Sequence, residues 1–556
     1  MEENTIIKNT KIFRNLINLE NSNLYECEHI EIIFSRENKI FSEQVTEICQ
    51  KLCLYQNLRT LKMDLWFHPN DQFNIRDLEA LLCKLNNLTT FNLSLKWDEI
   101  IEEKIFSQLA KVVQNCQKLK NLALKVYPPY SGYPKPKFIQ IGTEEFLQFA
   151  QSIGSCEDLN NLKLKIKSFQ ILDNNLQDLG ENIANCQHLT FCHLDLSDCI
   201  TNITDQCFDK MFKNCKKLSQ MTFIFNNNKS YDQSVSNFAK QLSSCQNLNY
   251  LDIQFNNNYL EGTGLFDLAK ILENFQEMQT FILLIKNNYL GNEGISEICK
   301  SLKQLQNLKT SQLDFSQNTS VNDSFLTEFG NCMQEYSNNL TNFHLDLSGN
   351  TIHTQGIVDF SIGLRNCKSL QNLSLKFFDN YMSDDGAFKL CQNLPYGIKN
   401  LTLELSGNKI TKSGANQLAA ALENQNMIED FKLTISSNQI LSEGLTCIGK
   451  SVAQMKLLKY LTLNLAWNSI SYDGLINLGY ELTNCKNLKY IHLNLLQNEN
   501  IQEAFQILIQ NLSQLKQLTN LTIFISYNQN QRQIFANKLM KKCKRLVAIK
   551  ISSFPF

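Results

Sequence analysis

Apolar residues recur along the chain in the pattern L-x-x-L-x-L-x-L, with other apolar residues standing in for some of the leucines. The pattern starts at Cys27, Leu58, Leu88, Leu119, Leu159, Leu189, Leu218, Leu248, Met278, Leu308, Leu340, Leu370, Ile398, Ile428, Leu458, Leu488, Leu518 and Leu546. The commonest interval is 30 residues, and the one large exception is the 40-residue step from Leu119 to Leu159. Within a unit such as Leu401-Thr402-Leu403-Glu404-Leu405, apolar and polar residues alternate, the period of a strand with one buried face. The second half of a unit changes period. Gly264-Leu265-Phe266-Asp267-Leu268-Ala269-Lys270-Ile271-Leu272 sets Leu265, Leu268, Ile271 and Leu272 on one helical face. A strand and a helix in 30 residues cannot bury both apolar faces alone, whereas stacked copies bury them continuously.

A polar column runs through the same register. The residue ten after each start is asparagine in eleven consecutive units: Asn228, Asn258, Asn288, Asn318, Asn350, Asn380, Asn408, Asn438, Asn468, Asn498 and Asn528. An amide can donate to and accept from backbone groups of its own and the neighbouring turn, so the column predicts a buried hydrogen-bond ladder where the chain leaves each strand. Six residues further on, Gly264, Gly294, Gly356, Gly386, Gly414, Gly444 and Gly474 recur, as a left-handed or tightly packed position before the helix requires.

The run Ile398-x-x-Leu401-x-Leu403-x-Leu405-x-x-Asn408-x-Ile410-x-x-x-Gly414-x-x-x-Leu418-x-x-x-Leu422 resembles the leucine-rich repeat family, specifically its long, helix-containing, ribonuclease-inhibitor-like class. The resemblance covers residues 27–556 and implies a curved α/β solenoid with parallel inner strands and outer helices. It also implies protein ligands. Residues 1–26 precede the first start as an N-terminal cap or tail. Residues 27–556 then form one solenoid of about eighteen strand units, with a loop insertion near 127–140. These strands carry an extra apolar–polar pair before the asparagine, and the early units depart from the pattern, with Phe169 and Cys199 at the asparagine site.

Composition narrows the function classes. Lys+Arg 53 against Asp+Glu 54 leaves a formal net charge of -1, which gives no global field for nucleic acid or an anionic membrane. Neither a secretory signal pattern nor a long apolar span is present, so the expectation is a cytoplasmic chain without membrane insertion. The Asn228-Lys-Ser and Asn318-Thr-Ser sequons use the ladder asparagines themselves, which a glycan would expel from the core. Cysteines stand three residues before the start at Cys116, Cys156, Cys186, Cys215, Cys245, Cys367, Cys485 and Cys543, where other units have large hydrophobes. That interchange points to reduced core thiols.

Positions four, six and eight after each start face away from the core. Read in order, they run from Lys62, Lys96, Lys125, Lys163, Lys165 and Lys167, through Ile224, Ile282 and Leu284, to Asp314, Asp346 and Glu404. Exposed apolar residues on such a face mark a protein contact. The lysines lack the interleaved arginines and stacking rings of a nucleic-acid site. His193 with Asp195 and His344 with Asp346 read as surface pairs without a third convergent group. The 40-residue step holds Tyr127-Pro128-Pro129-Tyr130-Ser131-Gly132-Tyr133-Pro134-Lys135-Pro136, an extended segment in which Tyr130 and Tyr133 are candidate partner contacts.

No phosphate-binding loop, HExxH, kinase or nucleophile-elbow motif occurs, and no cofactor is implied. The reading is a non-catalytic protein-interaction scaffold binding a macromolecular partner on its concave face. Two alternatives stand beside it. One is a GTPase activator similar to the Ran GTPase-activating proteins, with Arg36 and Arg76 as the candidate arginines. The other is a structural spacer that docks through its ends, the last strand being followed by Phe554 and Phe556.

Overall fold

The structure is a computed structural model that describes residues 10–14, 27–55, 57–68, 76–96, 104–127, 139–199, 208, 210–335, 339–499, 502–525, 545 and 547–552. The Pro/Tyr segment with Tyr130 and Tyr133, ladder residue Asn528, and Phe554 and Phe556 lie outside the described residues. The chain forms two compact units, Met1–Met278 and Gln279–Phe556.

All eighteen starts are followed two residues later by a strand, from His29–Ile33 to Ala548–Ser552. A further strand, Thr10–Phe13, pairs in parallel with His29–Ile33 and extends the first unit's ladder beyond the first start. In each unit consecutive strands pair in parallel and in register, as in Thr310↔Asn342 and Leu313↔Leu345. Parallel neighbours need a crossover, and among the described residues a helix supplies it between most successive strands. Strand burial alternates as the pattern requires: Phe281 and Leu283 are buried, Thr280, Ile282 and Leu284 half-buried.

In the helix Gly264–Leu272 the buried set is Leu265, Leu268, Ala269 and Leu272. Ile271, expected among them, is only half-buried. The spacing i, i+3, i+4, i+7 keeps Ala269 on the core stripe and carries Ile271 to its edge. The glycine column serves close packing rather than a left-handed backbone. A Cβ on Gly264 would stand 2.2 Å from the carbonyl oxygen of Asp232, one on Gly356 2.8 Å from Cα of Asp323, and one on Gly474 2.8 Å from Cα of Ser442, each in the preceding repeat. The left-handed position is the residue before the ladder asparagine: Asn227, Asn257, Asn287, Gln317, Gly349, Asp379, Gly407, Ser437, Trp467 and Gln497 all have positive φ.

That bend lets each asparagine reach across two turns. Asn318 Nδ2 donates to the carbonyl oxygens of Ile285, Phe315 and Ser316 at 3.0, 3.0 and 3.1 Å. Its Oδ1 accepts from the backbone of Asn288 at 3.2 Å and of Leu290 at 3.1 Å. Asn228, Asn258, Asn408, Asn438 and Asn468 span their turns in the same way. Where Phe169 replaces the asparagine, the chain instead pairs Phe169–Gln170 with Ile139–Gln140 as a short parallel ladder. Consecutive in-register strands, return helices and an asparagine ladder make each unit an α/β solenoid of the leucine-rich-repeat type.

Candidate partner-binding face

The strand face away from the helices is a grid whose rows are strands and whose columns are register positions. Each column is assembled from residues about thirty apart in the chain, on strands about 4.8 Å apart. In the second unit, Ile282 stands opposite Gln312 and Leu284 opposite Asp314. Ile224 belongs to the first unit, between Asp195 and Gln254. The half-exposed apolar residues are therefore met by polar neighbours and do not extend into an apolar column.

The lysines do come together. Lys163 stands opposite Ala123 on one side and His193 on the other, and Lys125 and Lys165 are register partners. Lys167 follows at the end of the same strand, its backbone N–H reaching the carbonyl of Val126 at 3.4 Å. The two His/Asp pairs are not surface pairs, because their carboxylates are covered. Asp195 is 2% exposed; it lies 3.0 Å from Lys167 Nζ and 3.8 Å from Lys165 Nζ, and accepts from Ser197 Oγ at 2.8 Å. Burying a carboxylate is costly unless it is paired and hydrogen-bonded in this way. Asp346 is likewise buried, 3.3 Å from Lys376 Nζ and accepting from Ser348 N at 3.1 Å.

Burial disfavours the charged form of both histidines. The His193 pKa falls from 6.5 to about 4, through burial first and then the charges of Lys165 and Lys163. Burial and Lys376 likewise lower that of His344. The acidic end of the face is partly committed to backbone structure: Asp314 accepts from Ser316 N at 2.9 Å and Glu404 from Ser406 N at 3.1 Å. Burial also raises the pKa of Glu404.

Two features escaped the sequence reading. In the first unit, Trp66 and Lys96 are register partners, with Arg36 and Lys96 over the indole at 5.8 and 5.6 Å and Lys96 paired to Asp64 at 2.8 Å. The basic face therefore does carry an arginine–aromatic contact, but the indole is already covered by cations. In the second unit, a groove of about 500 Å³ is lined by Ser316, Ser348, Phe378, Asp379, Glu404 and Ser436, among others. Phe378 stands 48% exposed in it. Only alignment of the residues eight after each start, mostly serines, could have shown that groove.

Among the described residues no group of three or more His, Cys, Asp and Glu side chains could hold a metal ion. No described helix is long and apolar enough to cross a membrane. Arg36 is placed by Trp66, while Arg76 begins the helix Arg76–Leu82. No family model matches the chain, and no curated protein matches it. Among solved structures the chain is similar to that described as the crystal structure of the TLR13–ssRNA13 complex, at 12% identity and a TM-score of 0.41. The match covers 90% of this chain and 65% of the other, so the chain spans under two thirds of that protein's length.

Proposed function

We propose that this leucine-rich-repeat solenoid is a non-catalytic interaction scaffold that takes a macromolecular protein partner on its strand face. The observation that carries the reading is the division of labour along the strands. One set of alternate positions is mostly apolar and buried. The other is mostly half-exposed and chemically varied, as in Thr280, Ile282 and Leu284 beside Thr310, Gln312 and Asp314. A register fixed by main-chain ladders holds those varied side chains at set spacings, which is what a large complementary surface with a few hot spots needs. The helices between successive strands support placing the chain in the ribonuclease-inhibitor-like class, whose resemblance implies protein ligands, and the reading is of a cytoplasmic protein.

Affinity capture from native lysate tests it, with three forms compared after matching their circular dichroism: intact chain, Ile282→Asp/Leu284→Asp on the strand face, and Lys270→Ala on a helix. The expected outcome is a partner retained by the intact chain and by Lys270→Ala but lost by the strand-face variant. Partners lost only on the helix side would overturn the reading.

A further inference from the structure

The lysine grid of the first unit is charged beyond what its own fold uses. Of the four ammonium groups of Lys125, Lys163, Lys165 and Lys167, those of Lys165 and Lys167 form ion pairs, both with the single carboxylate of Asp195. Among the described residues, neither Lys125 nor Lys163 makes an ion pair. Lys163 is crowded by its own kind: burial lowers its pKa first, and then Lys165 and Lys125 do. The adjoining Lys96 and Asp64 neutralise each other. The histidine beside Lys163 adds no counter-charge, and the buried Nε2 of His193 has no hydrogen-bond partner. Like charges held together on a rigid sheet repel, and an incoming anion relieves that repulsion while gaining charge-assisted hydrogen bonds.

We propose that this face of the first unit, built on Lys125, Lys163, Lys165 and Lys167, binds an extended acidic segment of a protein partner. The inference rests on the scaffold reading and names the chemistry of what the scaffold holds. Alternate residues on one strand lie about 6.6 Å apart, so the Lys163–Lys165–Lys167 row has the pitch of acidic side chains on an extended peptide. Ala123, beside Lys163, carries a single methyl, which leaves room for a backbone to approach. The anionic groups are carboxylates or phosphates, either of which a lysine ammonium can meet as a point charge. Single-stranded nucleic acid fits less well, because its affinity draws on open rings for base stacking. The Trp66 ring already carries Arg36 and Lys96, and Tyr127 is half-buried.

The test is fluorescence anisotropy on the full chain with three labelled probes of equal length: a glutamate-rich peptide, a phosphoserine-rich peptide and oligouridylate. Lys125→Gln/Lys163→Gln is the informative variant, since it leaves the Lys165 and Lys167 partners of Asp195 in place. The expected result is salt-sensitive binding of at least one acidic peptide, weakened roughly tenfold by the glutamine pair and restored by Lys125→Arg/Lys163→Arg. The tighter of the two peptides identifies carboxylate or phosphate as the source.

Absence of binding by both peptides, unchanged affinity in the glutamine pair, or tighter binding of oligouridylate would each overturn the inference. A natural partner that the glutamine pair still captures in full would overturn it while leaving the scaffold reading intact. Acidic-peptide binding by a chain that captures no partner would count against the scaffold reading instead.

Discussion

A histidine on a strand face ordinarily titrates near neutrality, and His193 does not, because burial first strips its charged form of solvation and its neighbours then add to that cost. Lys163 stands opposite it, Lys165 and Lys125 add positive potential, and Asp195, the one opposing group, is already engaged by lysines. The folded-state pKa of about 4 lies below the ordinary 6.5, so between those values the unfolded chain binds the extra proton. The stability from keeping His193 neutral is therefore fully present above pH 6.5 and is lost as pH falls from 6.5 towards 4. His193→Gln removes this contribution. Thermal midpoints measured across that window should fall more steeply for the natural chain than for the variant, and parallel curves would contradict the assignment.

At the scale of the repeat, the asparagine turn is the element that joins one unit to the next. Asn318, fully buried, satisfies two backbone N–H groups and three carbonyls that belong to two successive turns. Asn318→Ala leaves those groups without a partner or with a partial one, at a cost of about 3 kcal/mol or more. Asn498 makes similar bonds but is half-exposed, so water can replace part of the lost bonding in Asn498→Ala. A urea titration should show the larger midpoint shift for Asn318→Ala; equal shifts would mean that burial does not set the strength of the ladder.

This turn also shows how far the sequence could be read. The strand positions and the ladder register were legible because a repeat multiplies one signal many times over. The left-handed residue before the asparagine was not, since Asn, Gln, Gly, Asp, Ser and Trp all occupy it. Alternation tells which side of a strand a residue faces, not how deeply its neighbours cover it. Asp195 was therefore read as exposed, although Lys165 and Lys167 from the preceding repeat lie over it. The covering of Trp66 by Arg36 and Lys96 is likewise a contact between residues thirty apart, which local reading does not bring together.

Over the whole molecule, the recurring cysteine makes the interfaces between repeats open to measurement. Four of these thiols fill core positions and point at the backbone of the repeat before them: Cys186 Sγ lies 3.6 Å from the Ile153 oxygen, Cys215 3.6 Å from Ile183, Cys367 3.9 Å from Met333 and Cys485 3.6 Å from Val452. A large hydrophobe fills the same space in other repeats, whereas cysteine adds a weak donor toward the neighbouring carbonyl. Burial pushes the pKa of Cys186, Cys215, Cys367 and Cys485 up to about 12, so at neutral pH these thiols are protonated as well as covered. Among the described residues, Cys83 is exposed, while Cys53 and Cys447 are partly covered. Among these described cysteines, native-state maleimide labelling read by peptide mass spectrometry should therefore modify Cys83 first, Cys53 and Cys447 more slowly, and Cys186, Cys215, Cys367 and Cys485 only when an interface between repeats opens. Fast labelling of Cys186 or Cys215 under native conditions would contradict the packing. In a stack where each repeat leans on its neighbour, the order in which Cys156, Cys186, Cys215 and Cys245 become reactive under rising urea locates the interface that parts first.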